Sequence, residues 1–134
     1  MADVIAVEGI GEVYGKKLKE AGIPTSGKLL ETGASRSGRQ KIEETTGISG
    51  ALVLRWVNHV DLFRIKGVQK QYAELLEASG VDSVPELSHR VAANLHAKMK
   101  EVNAEKHLVR KLPGSKQVAG WIEQAKSLPK IVTH

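Results

Sequence analysis

The feature that most constrains this chain is a glycine-centred segment that occurs twice. Residues 7–18, VEGIGEVYGKKL, recur 58 positions later as residues 65–76, IKGVQKQYAELL. The match continues at Gly22, which corresponds to Gly80. Similarity over this length indicates an internal duplication, and it has to be recognised before local structure is assigned.

Helical periodicity follows the first copy of the turn. Apolar residues spaced for one helix face predict a helix from about Glu12 to Ala21. Gly9 supplies a residue that adopts left-handed backbone at low cost, so it is expected to stop a short first helix beginning near Ala2-Asp3. Thr25 or Ser26 is then a suitable cap for another short helix.

Capping residues and apolar patterns divide the rest of the chain into further helices. Ser35 is expected to open one helix, and Gly47 to end it before a helix that carries Trp56. The junction 61–64 is also predicted to be helical, so that the two halves share a continuous helix. Later helices are expected up to Ser79, near Pro85–Leu87, from about Asn94 to Val102, and from Ser115 through Ala125.

The composition is that of a folded domain, with 41% hydrophobic and 26% charged residues. The absence of cysteine excludes disulfides and thiolate metal sites. No stretch of the sequence approaches a secretion signal or a membrane span, so a cytoplasmic location is expected.

Charge separates the two halves of the chain. Residues 1–61 carry eight Lys or Arg and eight Asp or Glu, whereas residues 62–134 carry twelve and seven. The whole net charge of +5 therefore lies in the second half. This asymmetry favours a polyanionic partner, although a solvated basic face is an equally simple interpretation.

The repeated turns resemble those of the helix-hairpin-helix superfamily. Residues 7–11, VEGIG, with Gly15 four places on, fit its core pattern well, and residues 65–69, IKGVQ, with Ala73, fit it less completely. The first half is similar to the double helix-hairpin-helix unit of recombinase amino-terminal domains and of the RNA polymerase alpha-subunit carboxy-terminal domain. Over its full length the chain resembles an uncharacterised prokaryotic family of tandem helix-hairpin-helix proteins.

That resemblance implies an all-α fold of two tandem double helix-hairpin-helix units with internal pseudo-two-fold symmetry. Residues 1–61 are expected to form the first unit and residues 62–134 the second, packed together as one compact unit. It also implies phosphate binding, because amides at the start of a hairpin's second helix point outward where the helix dipole is positive.

The four predicted hairpins differ in charge. Glu8 and Glu12 make the first electrostatically poor, and the second carries Arg36 and Arg39 only in its preceding helix. The third and fourth are the most basic. The residues predicted to bind nucleic acid are Arg64, Lys66, Gly67, Val68, Gln69, Lys70, Arg110, Lys111, Gly114, Ser115 and Lys116.

Other kinds of site find little support in the sequence. A dinucleotide site needs Gly-x-Gly-x-x-Gly, but Tyr14 stands where the third glycine belongs. The histidines lack a metal-site spacing and are interpreted as solvated surface residues, and no catalytic motif is present. We therefore expect no enzyme activity, cofactor, metal or small-molecule substrate.

The expected function is sequence-independent binding of nucleic acid, chiefly the duplex DNA backbone, through hairpin amides and flanking Lys and Arg. The sequence does not separate DNA from structured RNA. The alternative is a protein-interaction or adaptor module in which the hairpins are structural.

Overall fold

The computed structural model describes residues 2–133, and within that range the regular structure is helical. A 3-10 turn, Val4–Ala6, precedes the α-helices. The described residues form no strand, and their β-structure is limited to one isolated bridge between Asp3 and Thr25. The helices are α1 Gly11–Glu20, α2 Ser26–Gly33, α3 Arg36–Thr46, α4 Gly50–Leu62, α5 Lys70–Ala78, α6 Val84–Ser88, α7 Ala92–Lys106 and α8 Ser115–Ser127. The prediction of an all-α chain is confirmed.

The chain divides into two compact units. The first contains residues 2–61 together with 131–133, and the second contains Leu62–Lys130. The boundary falls at the last turn of α4. The final described residues thus pack with the first unit, whereas the sequence interpretation assigned them to the second.

Side-chain caps begin several of the helices where the sequence predicted them. The Thr25 hydroxyl accepts a hydrogen bond from the Lys28 amide at 3.1 Å, and so begins α2. The Ser35 hydroxyl accepts one from the Gly38 amide at 3.1 Å and begins α3. Each cap satisfies one of the amides that a helix start leaves without a backbone partner.

Two predicted helical stretches are shorter than expected. The helix expected from Ala2 is a single 3-10 turn, because the Val7 amide already bonds back to the Val4 carbonyl. At the junction, α4 ends at Leu62, so the expectation of helix is wrong for Phe63 and Arg64.

Each unit buries its own set of apolar side chains. In the first unit the buried residues include Val4, Leu18, Ile23, Leu29, Ile42, Val53, Trp56 and Val57. In the second they include Ile65, Leu75, Leu76, Leu87, Leu95, Met99, Val118 and Trp121. These residues follow the helical spacing seen in the sequence, so burial of one face accounts for most of the helix packing.

Arg39 in α3 anchors the C-terminal segment to the first unit. Its Nη1 donates to the Gly33 carbonyl at 2.9 Å, and its Nη2 donates to the Thr133 carbonyl at 2.7 Å. The Thr133 amide in turn donates to the Ala34 carbonyl at 2.8 Å. A side chain that is only 7% exposed therefore joins the corner between α2 and α3 to residues almost a hundred positions away.

Replacing this arginine should destabilise the first unit selectively. Arg39→Met removes the donors of three carbonyls while keeping a long stem, and we expect a loss of about 2–3 kcal/mol because the buried Gly33 carbonyl loses its partner. Amide hydrogen exchange should show faster opening in residues 2–61 than in 62–130. Lys41→Met, on an exposed position of the same helix, is the control; equal losses in the two variants would contradict the anchoring role.

Two helical glycines offer a matched test of packing. A Cβ on Gly38 would overlap the carbonyl oxygen of Thr32, whereas a Cβ on Gly120 meets no atom within 4 Å. Gly38→Ala should therefore cost about 2–3 kcal/mol. Gly120→Ala should stabilise the chain by about 0.5–1 kcal/mol, since alanine loses less backbone entropy in a helix. Urea unfolding measures both, and a destabilising Gly120→Ala would contradict the described packing.

Candidate nucleic-acid interface

The turn before α5 requires its glycine. Gly67 has a φ of +94°, a conformation that side chains disfavour. A Cβ at this position would lie 3.1 Å from Nε1 of Trp121, which is closer than ordinary van der Waals contact. The following residue, Val68, is buried, and its amide bonds to the Ile65 carbonyl at 3.1 Å. The backbone therefore passes directly over an indole ring.

The same turn is also held along α8 by a glutamine. Gln124 Oε1 accepts a hydrogen bond from the Lys66 amide at 2.9 Å, and its Nε2 donates to the Lys66 carbonyl at 3.4 Å. At the other end of the turn, Gln117 Nε2 lies 3.8 Å from the position of a Gly67 Cβ. The backbone of Lys66 is fixed by these bonds while its side chain is exposed.

The loop between α7 and α8, residues 107–114, is fixed at its start by Asn103. The Asn103 Oδ1 accepts a hydrogen bond from the Val109 amide at 2.9 Å, and the Asn103 Nδ2 donates one to the Val109 carbonyl at 3.1 Å. His107 ends α7 with a φ of 52°, and it is the one residue other than glycine with positive φ in the described chain. It occupies the position that Gly47 holds after α3.

Two further side chains fix the second part of the loop. The Tyr72 hydroxyl, from the first turn of α5, donates to the Lys111 carbonyl at 3.0 Å. Nε2 of His96, in α7, lies 2.9 Å from the Pro113 carbonyl. Since a carbonyl only accepts, this nitrogen carries the proton. The loop is thus bound to both neighbouring helices, with Arg110 left exposed between the bonded residues.

These bonds place the third and fourth predicted turns side by side. A cleft of about 480 Å³ lies between them, lined by Gly67, Gln69, Lys70, Gln71, Tyr72 and Val109. We call the exposed surface around this cleft, formed by residues 66–72 and 109–117, the basic surface. Its two parts belong to the same unit.

Ion pairs involve four of the ten lysines that lie outside the basic surface in the described chain. Lys19, Lys28, Lys98 and Lys126 each form an ion pair with a neighbouring carboxylate. Four exposed cations of the basic surface form none among residues 2–133: Lys66, Arg110, Lys111 and Lys116. Their charge is therefore not neutralised locally. Lys70 is exposed as well, at the first position of α5.

The two helices that begin at this surface have no side-chain cap. Gln69 precedes α5, and its side chain makes no bond to a first-turn amide. Gly114, which has no side chain, precedes α8. In α8 the first intrahelical bond runs from Val118 to the Gly114 carbonyl at 3.1 Å. Ser115 and Lys116, both exposed, lie ahead of it, so the positive end of α8 faces solvent at the basic surface.

Arg64 bonds to the segment that follows α8. Its guanidinium donates to the carbonyl of Pro129, just beyond the C-terminal end of α8. Since a helix rises 1.5 Å per residue, that end lies about 18 Å along the axis from Ser115. Arg64 therefore holds the segment after α8, away from the predicted binding residues at the start of that helix.

Sequence reasoning missed the residues that hold the loop and misjudged two histidines. His96 and Asn103 lie seven residues apart on one face of α7, and both bond to the loop. That spacing was present in the sequence, but nothing marked the loop as their partner. The interpretation of the histidines as solvated is wrong for His96, which bonds to the loop, and for His59, which is fully buried. His134 lies outside the described residues.

The first unit contains a comparable glycine turn with different charges. Gly9 has a φ of +90°, and a Cβ there would lie 3.4 Å from Nε1 of Trp56. Trp56 stacks at a tilt on Tyr14 with centroids 5.2 Å apart, and in the second unit Trp121 and Tyr72 stand 5.4 Å apart.

The residues beside the Gly9 turn are acidic rather than basic. Glu8 adjoins the glycine, and Glu12 is exposed in the first turn of α1. Asp3 lies instead at the other end of α1, where the Ile5 amide and the Lys19 ammonium lower the pKa of its carboxyl. Negative charge at the start of α1 opposes the binding of a phosphate.

Among residues 2–133, no three His, Asp or Glu side chains come together in a group able to hold a metal ion. Within the same residues, none of the helices combines the length and the apolar character that crossing a membrane requires.

Three comparisons with known proteins gave one match. No curated protein and no solved structure shows significant similarity to the chain. One family of sequences does match, across residues 8–128, which includes both glycine turns and the whole basic surface. The chain belongs to the family described as domain of unknown function DUF4332.

Proposed function

We propose that the second unit binds the backbone of duplex nucleic acid, chiefly DNA, without sequence preference. The binding groups are the side chains of Lys66, Lys70, Arg110, Lys111 and Lys116 together with the first-turn amides of α8. The start of α5 adds a second helix dipole directed at the same surface.

The observation that carries this proposal is the hydrogen bond from the Tyr72 hydroxyl to the Lys111 carbonyl, at 3.0 Å. It joins the start of α5 to the loop that precedes α8. Two basic turns on one continuous surface can contact successive phosphates, which turns facing apart cannot do. A Cβ on Gly67 would lie 3.1 Å from Nε1 of Trp121 and 3.8 Å from Nε2 of Gln117, so the turn before α5 also lies close to α8 itself.

The available contacts favour backbone binding to a duplex over binding to single strands. Proteins that hold single strands stack bases on exposed aromatic rings. In this chain Trp56 and Trp121 are buried, and Tyr14, Tyr72 and Phe63 are partly buried. The exposed groups of the basic surface are instead cations and amides, which bind phosphate oxygens and carry no sequence information.

The proposal includes a helix-hairpin-helix origin for both units. The similar φ of Gly9 and Gly67, each above a tryptophan, and the two matching Tyr–Trp pairs support a duplication of one hairpin design. The pseudo-two-fold arrangement of the units stays a prediction. In the first copy, Glu8 and Glu12 lie where the second copy carries Lys66 and Lys70, so the proposal assigns the nucleic acid to the second unit.

Salt dependence tests this proposal directly. The logarithm of duplex affinity should fall linearly with the logarithm of salt concentration, because each phosphate contact releases about 0.9 of a counterion. The double variant Lys111→Gln/Lys116→Gln should lower that slope by about 2 and weaken binding to every duplex sequence alike. Fluorescence anisotropy with two unrelated duplexes measures both quantities.

A matched double variant controls for net charge. Lys98→Gln/Lys126→Gln removes the same charge from the same unit, but both lysines are ion-paired and lie outside the basic surface. Its salt slope should remain that of the wild type. Equal effects of the two double variants, or duplex affinity that is insensitive to salt, would refute the proposed surface.

Removing one hydroxyl tests whether the fixed loop matters for binding. Tyr72→Phe keeps the ring against Trp121 but frees the Lys111 carbonyl, which should cost about 1 kcal/mol of stability and weaken duplex binding several-fold. Hydrogen exchange should quicken in residues 110–117. Tyr14→Phe is the control, since Tyr14 makes the same ring contact without a hydroxyl hydrogen bond in the described residues. Unchanged affinity in Tyr72→Phe would show that fixing the loop does not contribute.

A further inference from the structure

The first unit contains a second cationic site, which the nucleic-acid proposal does not use. A cleft of about 340 Å³ lies between α3 and the start of α4. It is lined by Arg36, Arg39, Gln40, Glu43, Gly50 and Leu54. Both arginines come from α3, and one of them is the buried Arg39 that anchors the C-terminal segment.

The guanidinium of Arg39 is only partly used by the protein. It carries five N–H donors. Nη1 donates to the carbonyls of Gly33 and Ala34, and Nη2 donates to the carbonyl of Thr133. Among the described residues, Nε makes no hydrogen bond and Nη2 makes one.

All the partners of Arg39 are neutral. No carboxylate of residues 2–133 lies within ion-pair distance of it, although the side chain is only 7% exposed. Burial, together with the nearby charge of Arg36, lowers the pKa of Arg39, yet an arginine remains cationic at neutral pH. A buried cation without a counter-ion is unfavourable, and an anion that pairs with it in the cleft offsets part of that cost.

We propose that this cleft binds the carboxylate of an aspartate or glutamate in a flexible segment of a partner protein. A guanidinium pairs strongly with a carboxylate, and Nε of Arg39 is free to donate to one of its oxygens. Arg36, exposed at the start of α3, supplies a second cation, and Leu54 provides an apolar wall for the methylenes of the entering side chain.

The shape and charge of the cleft favour this ligand over a duplex phosphate. Arg39 is recessed, so a rigid duplex cannot bring its backbone to it, whereas an acidic side chain on a flexible peptide can. Glu43 lies in the same cleft, with Oε2 2.8 Å from the position of a Gly50 Cβ, at the start of α4. With Arg36 and Arg39 it leaves the cleft with a net charge of +1, which one carboxylate neutralises and a doubly charged phosphate exceeds.

A matched pair of charge variants tests the site in the full chain. A fluorescein-labelled oligoglutamate peptide should bind the wild type, and Arg36→Gln should weaken that binding about tenfold. Lys41→Gln removes the same charge from an exposed position of the same helix, outside the cleft, and should change affinity less than about twofold. Equal effects of Arg36→Gln and Lys41→Gln would overturn the proposal, since binding would then follow net charge alone.

Nuclear magnetic resonance gives a direct readout at Arg39 without altering it. Titration of the labelled chain with the peptide should move the Nε–H signal of Arg39 downfield, and Arg39→Lys identifies that signal by its loss. An Arg39 signal that does not move while the peptide binds would overturn the proposal, as would the absence of any peptide binding.

Competition separates this site from the basic surface. N-acetylglutamate should displace the peptide, whereas duplex DNA should not, and Lys111→Gln/Lys116→Gln should bind the peptide as the wild type does. Displacement of the peptide by inorganic phosphate or duplex DNA, but not by N-acetylglutamate, would show a phosphate site instead. Because the two sites are altered by different substitutions, either proposal can fail while the other stands.

Discussion

The close approach of a glycine turn to a buried indole is the constraint on which the second unit depends. Gly67 can lie against Nε1 of Trp121 only because it has no side chain and adopts a positive φ. With the Gly67 turn in this position, the Gln124 side chain bonds to the Lys66 backbone, and α5 begins beside α8. The positions of Lys66 and Lys70 follow from this packing, whereas Arg110 and Lys111 lie on a loop that Asn103, His96 and Tyr72 hold. Folding and the candidate function therefore depend on the same contact.

Charge, rather than geometry, distinguishes the two glycine turns. Both place a tryptophan under a glycine of positive φ, and both pair that tryptophan with a tyrosine at similar distance and tilt. The first turn is flanked by Glu8 and Glu12, whereas the second is flanked by Lys66 and Lys70, which belong to the basic surface. In the first unit the notable cation is Arg39, recessed and bound to carbonyls. On this account the duplicated units serve different ligands, one polyanionic and one a single carboxylate.

The sequence predicted those parts of the structure that depend on local rules. Glycines that adopt positive φ, the caps Thr25 and Ser35, and the helical spacing of the buried residues all act within a few positions of the chain. The C-terminal end of α4 at Leu62 was less predictable, because no glycine or proline follows it directly. There the Ile65 amide bonds to the Leu62 carbonyl in place of the helical pattern.

The part of the candidate site that could not be predicted rests on contacts between distant residues. Asn103 and His96 bond to a loop whose sequence gives no sign of these partners, and Tyr72 bonds to Lys111 across 39 positions. Arg64 looked like a phosphate ligand from its neighbours in sequence, but the structure gives it the Pro129 carbonyl. Charge near a turn is visible in sequence, whereas the direction in which a side chain points depends on tertiary packing.

The central claim is that duplex nucleic acid binds the basic surface of the second unit. Amide chemical-shift mapping of the full chain with a short duplex tests this most directly, because it reports each residue without altering any. The account predicts shifts concentrated at residues 66–72 and 109–117, with little change around Gly9 or in α3. Shifts concentrated in the first unit, or none at low salt, would contradict it.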